Sequence, residues 1–343
     1  MSIIRDFGNP FSITDWTREV NIIPNTWGTI NNLGIFTTEP VAEQTVTFQE
    51  VARDFGLVVD RVRGDRSNVN KDYTRKLHSF PIPHFPLDDQ ILPKDIQGKS
   101  AYSDLSQAET LDGVRARKME RIRNSHAVTL EKARALALTT GNIYAPNGTV
   151  SLNWFTEFGV TQTTVDFVLG TNATNVVAKV EACIAAIQDN TGIINMTGIV
   201  ALCSPVFFAK LIAHNTVQTA YQYYTSTGAQ EPLRKRLSPD GSATALHRVF
   251  SFAGVDFIEM RDSYAGTPLI PSGDAVFIPT GTDYFRTYFA PAERFNLVNT
   301  LGMEVYMFEN AAPNGTAIEI ETESNFANAL LRPALVVRGY SSN

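Results

Sequence analysis

The most regular hydrophobic pattern in the chain lies between Ser106 and Thr140. Apolar residues recur there with a period near 3.6, and no proline interrupts them. Ser106 and Glu109 have the spacing of an N-terminal capping box, and Gly141 is a typical C-terminal stop. The pattern predicts one helix of about 34 residues, roughly 50 Å long. That is about three times the mean helix length.

The middle of this predicted helix is basic. Five Lys or Arg residues fall between positions 115 and 123, and Glu120 is the only acid among them. A solvated helix flank explains such a charge run. The alternative is a charged flank that meets another subunit, and the sequence leaves both interpretations open.

The chain before this helix has β patterns and proline-rich stretches. Alternating residues predict strands at 45–51, 57–62 and 73–83, and a polar, mildly basic tip at 63–71 joins the last two. Closely spaced prolines within residues 80–98 exclude a helix and a central strand in that passage. Residues 1–36 show no sustained period, which predicts an extended arm held by a partner surface.

The chain after the helix alternates between helix and strand patterns. Pro146-Asn147-Gly148 predicts a β-hairpin turn. Helices are predicted at 175–188 and 205–224, and strands at 199–203, 249–260, 275–278, 284–289, 303–308, 318–321 and 334–338. This order predicts an α/β segment followed by a β return at the C-terminus.

Composition excludes several classes of protein. The 343 residues are 43% hydrophobic and 19% charged, with a net charge of −6. Such a chain allows roughly two domains and is neither disordered nor a strongly basic nucleic-acid binder. The two cysteines, Cys183 and Cys203, lie in apolar surroundings and are expected to be ordinary buried residues. Because neither a signal sequence nor a long apolar run is present, we expect a soluble protein that is not exported.

The sequence contains no constellation typical of an enzyme active site. Motifs for phosphate binding, nucleophilic serine and zinc proteases are absent, and the five histidines are scattered. His78 and His84, near Asp88 and Asp89, would form a metal site only if their loop folded back, and a polar loop is the favoured interpretation. We therefore expect no catalytic residue, no metal and no cofactor. Any contact with DNA would be diffuse, because tight binding needs many cations together.

The order of these features resembles the Hong Kong 97-type fold of tailed-phage major capsid proteins, and more closely the lambda-type (capsid protein E) family. The residues that carry the likeness are Gly34-Ile35-Phe36, Thr47-Phe48-Gln49-Glu50, Phe80-Pro81-Ile82-Pro83-His84-Phe85, Asp95-Ile96-Gln97-Gly98, the Arg-rich helix, Glu323-Ser324-Asn325-Phe326-Ala327-Asn328 and Arg332-Pro333-Ala334-Leu335-Val336. The likeness covers essentially the whole chain.

The resemblance implies an α+β capsid subunit and a structural function. Hexamers and pentamers would tile an icosahedral phage head that encloses double-stranded DNA, so the protein would be part of the virion and assemble in the host cytoplasm. The implied divisions are an N-terminal arm at 1–36, an E-loop at 37–98, a peripheral domain at 99–165 with 301–343, and an axial α/β domain at 166–300. Some relatives cross-link an E-loop lysine to an asparagine, but this is not carried over to Lys71 or Lys76.

The implied partners are other copies of the chain, a portal, a separate scaffold and any decoration protein, with packaged DNA touched diffusely and no membrane. We expect aromatic residues of the arm, and arginines that pair with acids across subunits, to make the contacts between copies. The candidate contact residues are Phe7, Phe11, Trp16, Trp27, Arg61, Arg63, Arg66, Arg115, Arg117, Arg121, Glu319, Glu321 and Glu323.

Two alternatives stay open at the level of the sequence. An encapsulin-like compartment would share the fold but hold a cargo enzyme, so nuclease-protected nucleic acid in purified particles separates it from a phage head. A soluble α/β enzyme would form a small oligomer and lose activity on substitution of His78 or His84.

Overall fold

The structure is a computed structural model that describes residues 14–23, 28–52, 74–99, 109–145, 150–191, 196–225, 236–237, 247–264, 266–312 and 315–343. Several residues named above lie outside this part of the chain: Phe7, Phe11, Trp27, Arg61, Arg63, Arg66, Lys71, Ser106, the turn Pro146-Asn147-Gly148, the predicted strand 57–62 and the predicted tip 63–71. None of the helices in the described ranges is long and apolar enough to cross a membrane.

Seven α-helices occur in the described ranges. They are α1 Thr17–Ile22, α2 Thr29–Leu33, α3 Leu111–Thr140, α4 Trp154–Glu157, α5 Val176–Thr191, α6 Pro205–Ala213 and α7 Asn215–Thr225. Short 3-10 turns lie at Pro93–Asp95, Phe295–Leu297 and Pro333–Leu335.

Twenty β-strands occur in the same ranges. They are β1 Thr14–Asp15, β2 Thr37–Pro40, β3 Thr45–Ala52, β4 Thr74–Pro81, β5 His84–Pro86, β6 Asp89–Ile91, β7 Asn142–Tyr144, β8 Val150–Asn153, β9 Thr164–Asp166, β10 Gly198–Cys203, β11 Arg236–Leu237, β12 His247–Phe252, β13 Val255–Glu259, β14 Ser263–Tyr264, β15 Thr267–Pro268, β16 Asp274–Thr280, β17 Phe285–Phe289, β18 Tyr306–Ala311, β19 Ile318–Leu330 and β20 Val337–Tyr340.

Helix α3, the spine helix, confirms the long helix but not its predicted start. The Thr110 hydroxyl accepts a hydrogen bond from the Gly113 N–H at 3.1 Å, so the helix begins at Leu111 and the predicted Ser106 cap is wrong. Glu109, the other member of the predicted capping box, instead binds Arg117. The predicted end is confirmed, because Gly141 is left-handed and its N–H caps the last turn.

The first large sheet packs against the spine helix. Its strand order is β1-β18-β19-β17-β2, and β5 and β6 also pair with β19. Strand β19 is the centre of this sheet, since it pairs with β18 over 318–323 and with β17 over 326–330. The sheet thus joins strands from the first 91 residues to strands from the last 60, and it places both against one face of α3.

The second large sheet has the strand order β11-β12-β13-β10-β16-β20-β9, and helices α5 and α6 pack on it. The predicted strand 249–260 is two strands, because Ala253 and Gly254 both have positive φ and form a tight turn between them. The predicted helix 205–224 is also two helices. His214 is extended there, and its Nδ1 accepts the Thr216 N–H at 3.3 Å, which starts α7.

The N-terminal arm differs from its prediction over the described residues. Instead of an extended segment, α1 and α2 form, and Val20 and Ile30 are fully buried against the body of their own subunit. Helices of five and six residues are too short to show a 3.6-residue period, which explains why the pattern missed them.

Three two-stranded ribbons complete the fold, namely β3–β4, β7–β8 and β14–β15. The β7–β8 pairing confirms the hairpin predicted around Pro146-Asn147-Gly148. In sheet membership, β17 joins the first sheet and β20 joins the second. The division into arm, E-loop, peripheral and axial domains stays a prediction.

Candidate functional site

Four of the five basic residues on the basic flank of the spine helix form ion pairs within one subunit, and Arg121 is exposed. Arg115 is buried, and its Nε and Nη2 lie 2.6 and 2.8 Å from the two carboxylate oxygens of Glu309 on β18. It also pairs with Asp112 one turn earlier. The Trp16 ring lies 5.0 Å from the Arg115 guanidinium, so this arm residue packs on its own subunit.

A second ion pair, made by a buried arginine, lies two turns further along α3. Arg123 is 4% exposed, and its Nη1 and Nη2 lie 2.7 and 2.9 Å from the Glu304 carboxylate oxygens. On the side of the β6 strand, Lys118 Nζ lies 2.7 Å from Asp89. These bonds join residues more than 25 and up to 181 positions apart, so they fix the spine helix against the first sheet.

The C-terminal half of α3 holds the arm helix α2. The Glu131 carboxylate accepts the N–H of Ile30 at 2.7 Å and that of Asn31 at 2.9 Å. Burial raises the pKa of Glu131 to about 7, while those two backbone bonds oppose the rise. Asp262, from the β13–β14 loop, accepts the Thr29 hydroxyl at 2.7 Å on the same short helix.

Arg134 lies one turn after Glu131 and supports the same junction. Its Nη1 donates to Asn31 Oδ1 at 2.7 Å, and its Nη2 donates to Thr287 Oγ1 at 3.0 Å on β17. Burial lowers the pKa of Arg134 to about 10, which still leaves the guanidinium charged at neutral pH. One arginine therefore connects the arm, the spine helix and the first sheet.

His126 is buried between these ion pairs. Its Nε2 lies 3.1 Å from the Thr322 hydroxyl on β19. Burial, assisted by the charge of Arg123, lowers the pKa of His126 to about 4. The imidazole is therefore neutral at neutral pH, and protonating it inside the fold is unfavourable.

The remaining candidate contact residues in the described ranges differ in their exposure and in the contacts that they make within their own subunit. Arg117 is half exposed and binds Glu109 at 2.6 Å, and Arg121 and Glu319 are exposed. Glu321 pairs with Arg294 in the same subunit. Glu323 is buried, with one carboxylate oxygen 3.2 Å from His84 Nδ1. Contacts of these residues with another subunit stay a prediction.

His78 lies in the ribbon β3–β4 and contacts two carboxylates. Its Nδ1 lies 2.8 Å from Glu157 on α4, and its Nε2 lies 3.0 Å from Glu50 on β3. The His78, Phe48 and Phe158 rings form a cluster, in which the His78 centroid lies 5.2 Å from that of Phe48 and 4.8 Å from that of Phe158. Together these contacts fasten the ribbon to the body of the subunit.

The metal site considered for His78 and His84 does not form. His84 faces Asn325 Oδ1 at 2.7 Å, whereas His78 is held by Glu50 and Glu157. Over the described part of the chain, no group of three His, Cys, Asp or Glu side chains is arranged to hold a metal ion. Both cysteines are buried and free, as expected.

The residues that join α3 to the rest of the chain were not predicted from the sequence. Glu131 and Arg134 carried a local signal, because two charges one turn apart interrupt an otherwise apolar helix face. Glu304 and Glu309 carried none, since their partners are 181 and 194 residues away.

Comparisons with known proteins agree with this architecture. The family model described as phage major capsid protein E matches residues 12–341. The chain is 45% identical to the major capsid protein of Pseudomonas phage KPP10, over 99% of both chains. It is 28% identical to the major capsid protein of Salmonella phage Felix O1, over 95% of both.

The fold is also similar to solved capsid structures. The capsid structure of cyanophage P-SCSP1u matches with a TM-score of 0.51 and 11% identity, covering 90% of this chain and 87% of that chain. The Hong Kong 97-type α+β fold with its long helix is thereby confirmed.

These matches decide the class of function. The protein is a major capsid protein of a tailed-phage head, a structural component of the virion that forms a homo-oligomeric shell. It is not an enzyme, and the soluble-enzyme alternative is wrong. The chain belongs to the phage major capsid protein E family.

Proposed function

We propose that the protein assembles into hexamers and pentamers that close an icosahedral head around double-stranded DNA. The observation that best supports this is the ribbon β3–β4, whose two strands pair only with each other in the described ranges. Free strand edges are normally covered in native assemblies. A neighbouring subunit in a closed shell would cover this ribbon.

The rigid junction of arm, spine helix and first sheet fits the same proposal. A shell subunit must keep its shape while weak contacts at its edges sum over many copies. The pairs made by Arg115, Arg123 and Arg134 supply that rigidity within one subunit. In this proposal residues 1–36 form the N-terminal arm, 37–98 the E-loop, 99–165 with 301–343 the peripheral domain, and 166–300 the axial domain.

The proposed contacts with neighbours use charged side chains that stay exposed, and Arg117 is one of them although it also binds Glu109 in its own subunit. Arg121 and Glu319 are exposed, and Arg117 is half exposed, so each is able to reach a second subunit. Arg61, Arg63 and Arg66 would act likewise from the tip of the E-loop. A portal, a separate scaffold and any decoration protein would complete the head, and DNA would be touched diffusely.

The test is assembly of the purified chain with a scaffold supplied from the same phage. Negative-stain microscopy is expected to show closed particles with five-fold and six-fold capsomers, and light scattering a mass of many subunits. A stable monomer or small ring under all conditions would contradict the proposal. Particles from infected cells should contain nuclease-protected DNA, whereas a co-purified cargo enzyme without DNA would indicate a compartment shell.

A charge reversal tests the contacts. Arg121→Glu is expected to reduce particle yield about tenfold without unfolding the subunit, since opposed like charges cost about a kcal/mol per contact and a shell repeats each contact many times. Arg121→Lys is the matched control and should assemble normally. Normal particle yield from Arg121→Glu would remove this residue from the contact.

A further inference from the structure

The segment between β17 and β18 exposes a row of large apolar side chains. Phe295 is completely exposed, Val298 and Leu301 are 61% and 63% exposed, and Met303 is 43% exposed. We call these four residues the apolar ridge. Single exposed apolar residues are ordinary on a protein surface, but four within nine positions are not.

The backbone that carries the apolar ridge is fixed. The Gly302 N–H donates to Val41 O at 3.0 Å, and a side chain at position 302 would place its Cβ 2.1 Å from Phe289 O, so glycine is required there. The Tyr306 hydroxyl accepts the Met303 N–H at 2.9 Å. The ridge is therefore preorganised, which lowers the entropy lost when a partner binds.

The exposed apolar surface continues onto the arm. Asn21 Nδ2 donates to Val305 O at 2.7 Å, and the neighbouring Ile22 is 71% exposed. The ridge and Ile22 together expose on the order of 500 Å², which is at the upper end for one patch on a monomer. A standard interface takes about 800 Å² from each partner, so this patch is large enough for its apolar centre.

The same chain offers a surface that matches the ridge. A groove of about 940 Å³ runs beside the spine helix and is lined by Phe85, Tyr144 and Tyr264. Arg117, Glu120 and Arg121 line the groove, two cations to one anion, while Glu293 is exposed just before the ridge. Aromatic walls suit an inserted phenylalanine, and the charges are complementary.

We propose that the apolar ridge of one subunit docks into this groove on a second copy of the chain. The contact is head-to-tail, because ridge and groove are different surfaces, and such contacts close into rings when the rotation permits. The inference rests on the proposed shell. It adds the surface that one subunit presents to the next.

A photo-cross-link identifies the occupant of the ridge. Assembled particles that carry Phe295→p-benzoylphenylalanine are irradiated, and the cross-linked peptides are mapped by mass spectrometry. We expect a dimer of the chain, joined between position 295 and a peptide containing residues 117–129, 144 or 263–264; residues 84–88 are left out because Pro86 lies beside Phe295 in the same subunit. A cross-link to another protein, a cross-link elsewhere on the chain, or no cross-link would overturn the proposal.

A pair of variants measures the contribution of the ridge to assembly. Phe295→Asp with Leu301→Asp is expected to lower particle yield at least tenfold while the unfolding midpoint of the subunit stays unchanged, because both side chains are exposed. The control is Val206→Asp, a residue 44% exposed on α6 and distant in sequence from the ridge. Particle yield of the double variant equal to that of wild type would overturn the proposal.

The proposed function and the ridge contact are contradicted by different results. A wild-type chain that forms no shell contradicts the proposed function. Wild-type shells in which position 295 gives no dimer contradict the ridge contact alone.

Discussion

The two large sheets are built from different parts of the chain. The first sheet takes β1, β2, β5 and β6 from the first 91 residues and β17, β18 and β19 from the last 60. In the second sheet, five of the seven strands lie between residues 198 and 280. The first sheet therefore depends on contacts between distant segments, and the second mainly on contacts within one segment.

The means of holding each sheet differ as well. In the second sheet, the fully buried Phe277 ring packs against Phe167 and Phe257, each at a centroid distance of 5.7 Å. The first sheet is joined to the spine helix by ion pairs of buried arginines, such as Arg123 with Glu304. Ring packing stabilises without regard to pH or salt, whereas the charged junction responds to both.

The largest effect is expected in the second sheet. Phe277→Ala should lower the free energy of unfolding by about 4 kcal/mol, because it leaves a cavity among packed rings. Urea unfolding of the unassembled subunit, followed by circular dichroism, measures this. Phe295→Ala, at a fully exposed ring, is the control and should change stability by less than about 0.5 kcal/mol. An equal loss of unfolding free energy in both variants would contradict the contribution of the packed rings to the second sheet.

The two sheets should differ in how their stability changes when the pH is lowered. The folded state keeps His126 neutral down to a pKa of about 4, while the unfolded chain takes up the proton near 6.5. Stability therefore falls as the pH drops from about 6.5 to 4, by on the order of 3 kcal/mol at this site. In the second sheet, Arg248 lowers the pKa of Glu259, so its contribution is lost only below about 4.5.

His126→Gln isolates this effect. The stability difference between pH 7 and pH 4.5, measured by urea unfolding, should be smaller in the variant than in wild type. Glu131 has a raised pKa and acts in the opposite direction, but it is present in both proteins and cancels in the comparison. An identical pH dependence of the two proteins would contradict the burial of a neutral His126.

Breaking the ion pair of Arg123 tests the charged junction directly. Arg123→Met should cost about 2 kcal/mol, since it leaves Glu304 without its partner in a site only 30% exposed. Adding Glu304→Leu should recover part of the loss. Arg121→Met, on the exposed flank of the same helix, is the matched control and should be nearly neutral. Unfolding midpoints rank the three variants.

The smallest effect concerns where the spine helix begins. Thr110→Ala removes the side chain that accepts the Gly113 N–H and should cost about 1 kcal/mol. Ser106→Ala removes the cap that the sequence pattern predicted and should cost nothing measurable. Differential scanning calorimetry compares the two, and the reverse order would restore the longer helix.

The spine helix illustrates what the sequence could predict. The long run of apolar residues at helical spacing and the glycine that follows it are local signals. The existence of the helix and its end at Thr140 were therefore predictable. Its cap was misplaced by four residues, at Ser106 instead of Thr110, because Glu109 fits a capping box but instead binds Arg117. The hairpin β7–β8 was predictable for the same reason, since its turn residues are contiguous.

The contacts between distant segments could not be predicted in this way. Glu309 lies 194 residues from Arg115, and nothing within either local stretch identifies the other as its partner. The short arm helix α2 depends on Glu131 and Asp262, which also lie far away in the chain. Tertiary context decided these elements, and a single sequence does not encode that context in any local pattern.

The stacked rings in the ribbon β3–β4 have a mechanical consequence. The ribbon is about 27 Å long, and the stack of Phe48, His78 and Phe158 grips it near its middle. A rotation of the ribbon about these rings therefore moves the two ends of its strands. A rotation of about 10° there would displace the end of the strands, about 13 Å away, by about 2 Å. Small movements of these aromatic rings would thus produce larger movements at the end of the ribbon and at any molecule in contact with it.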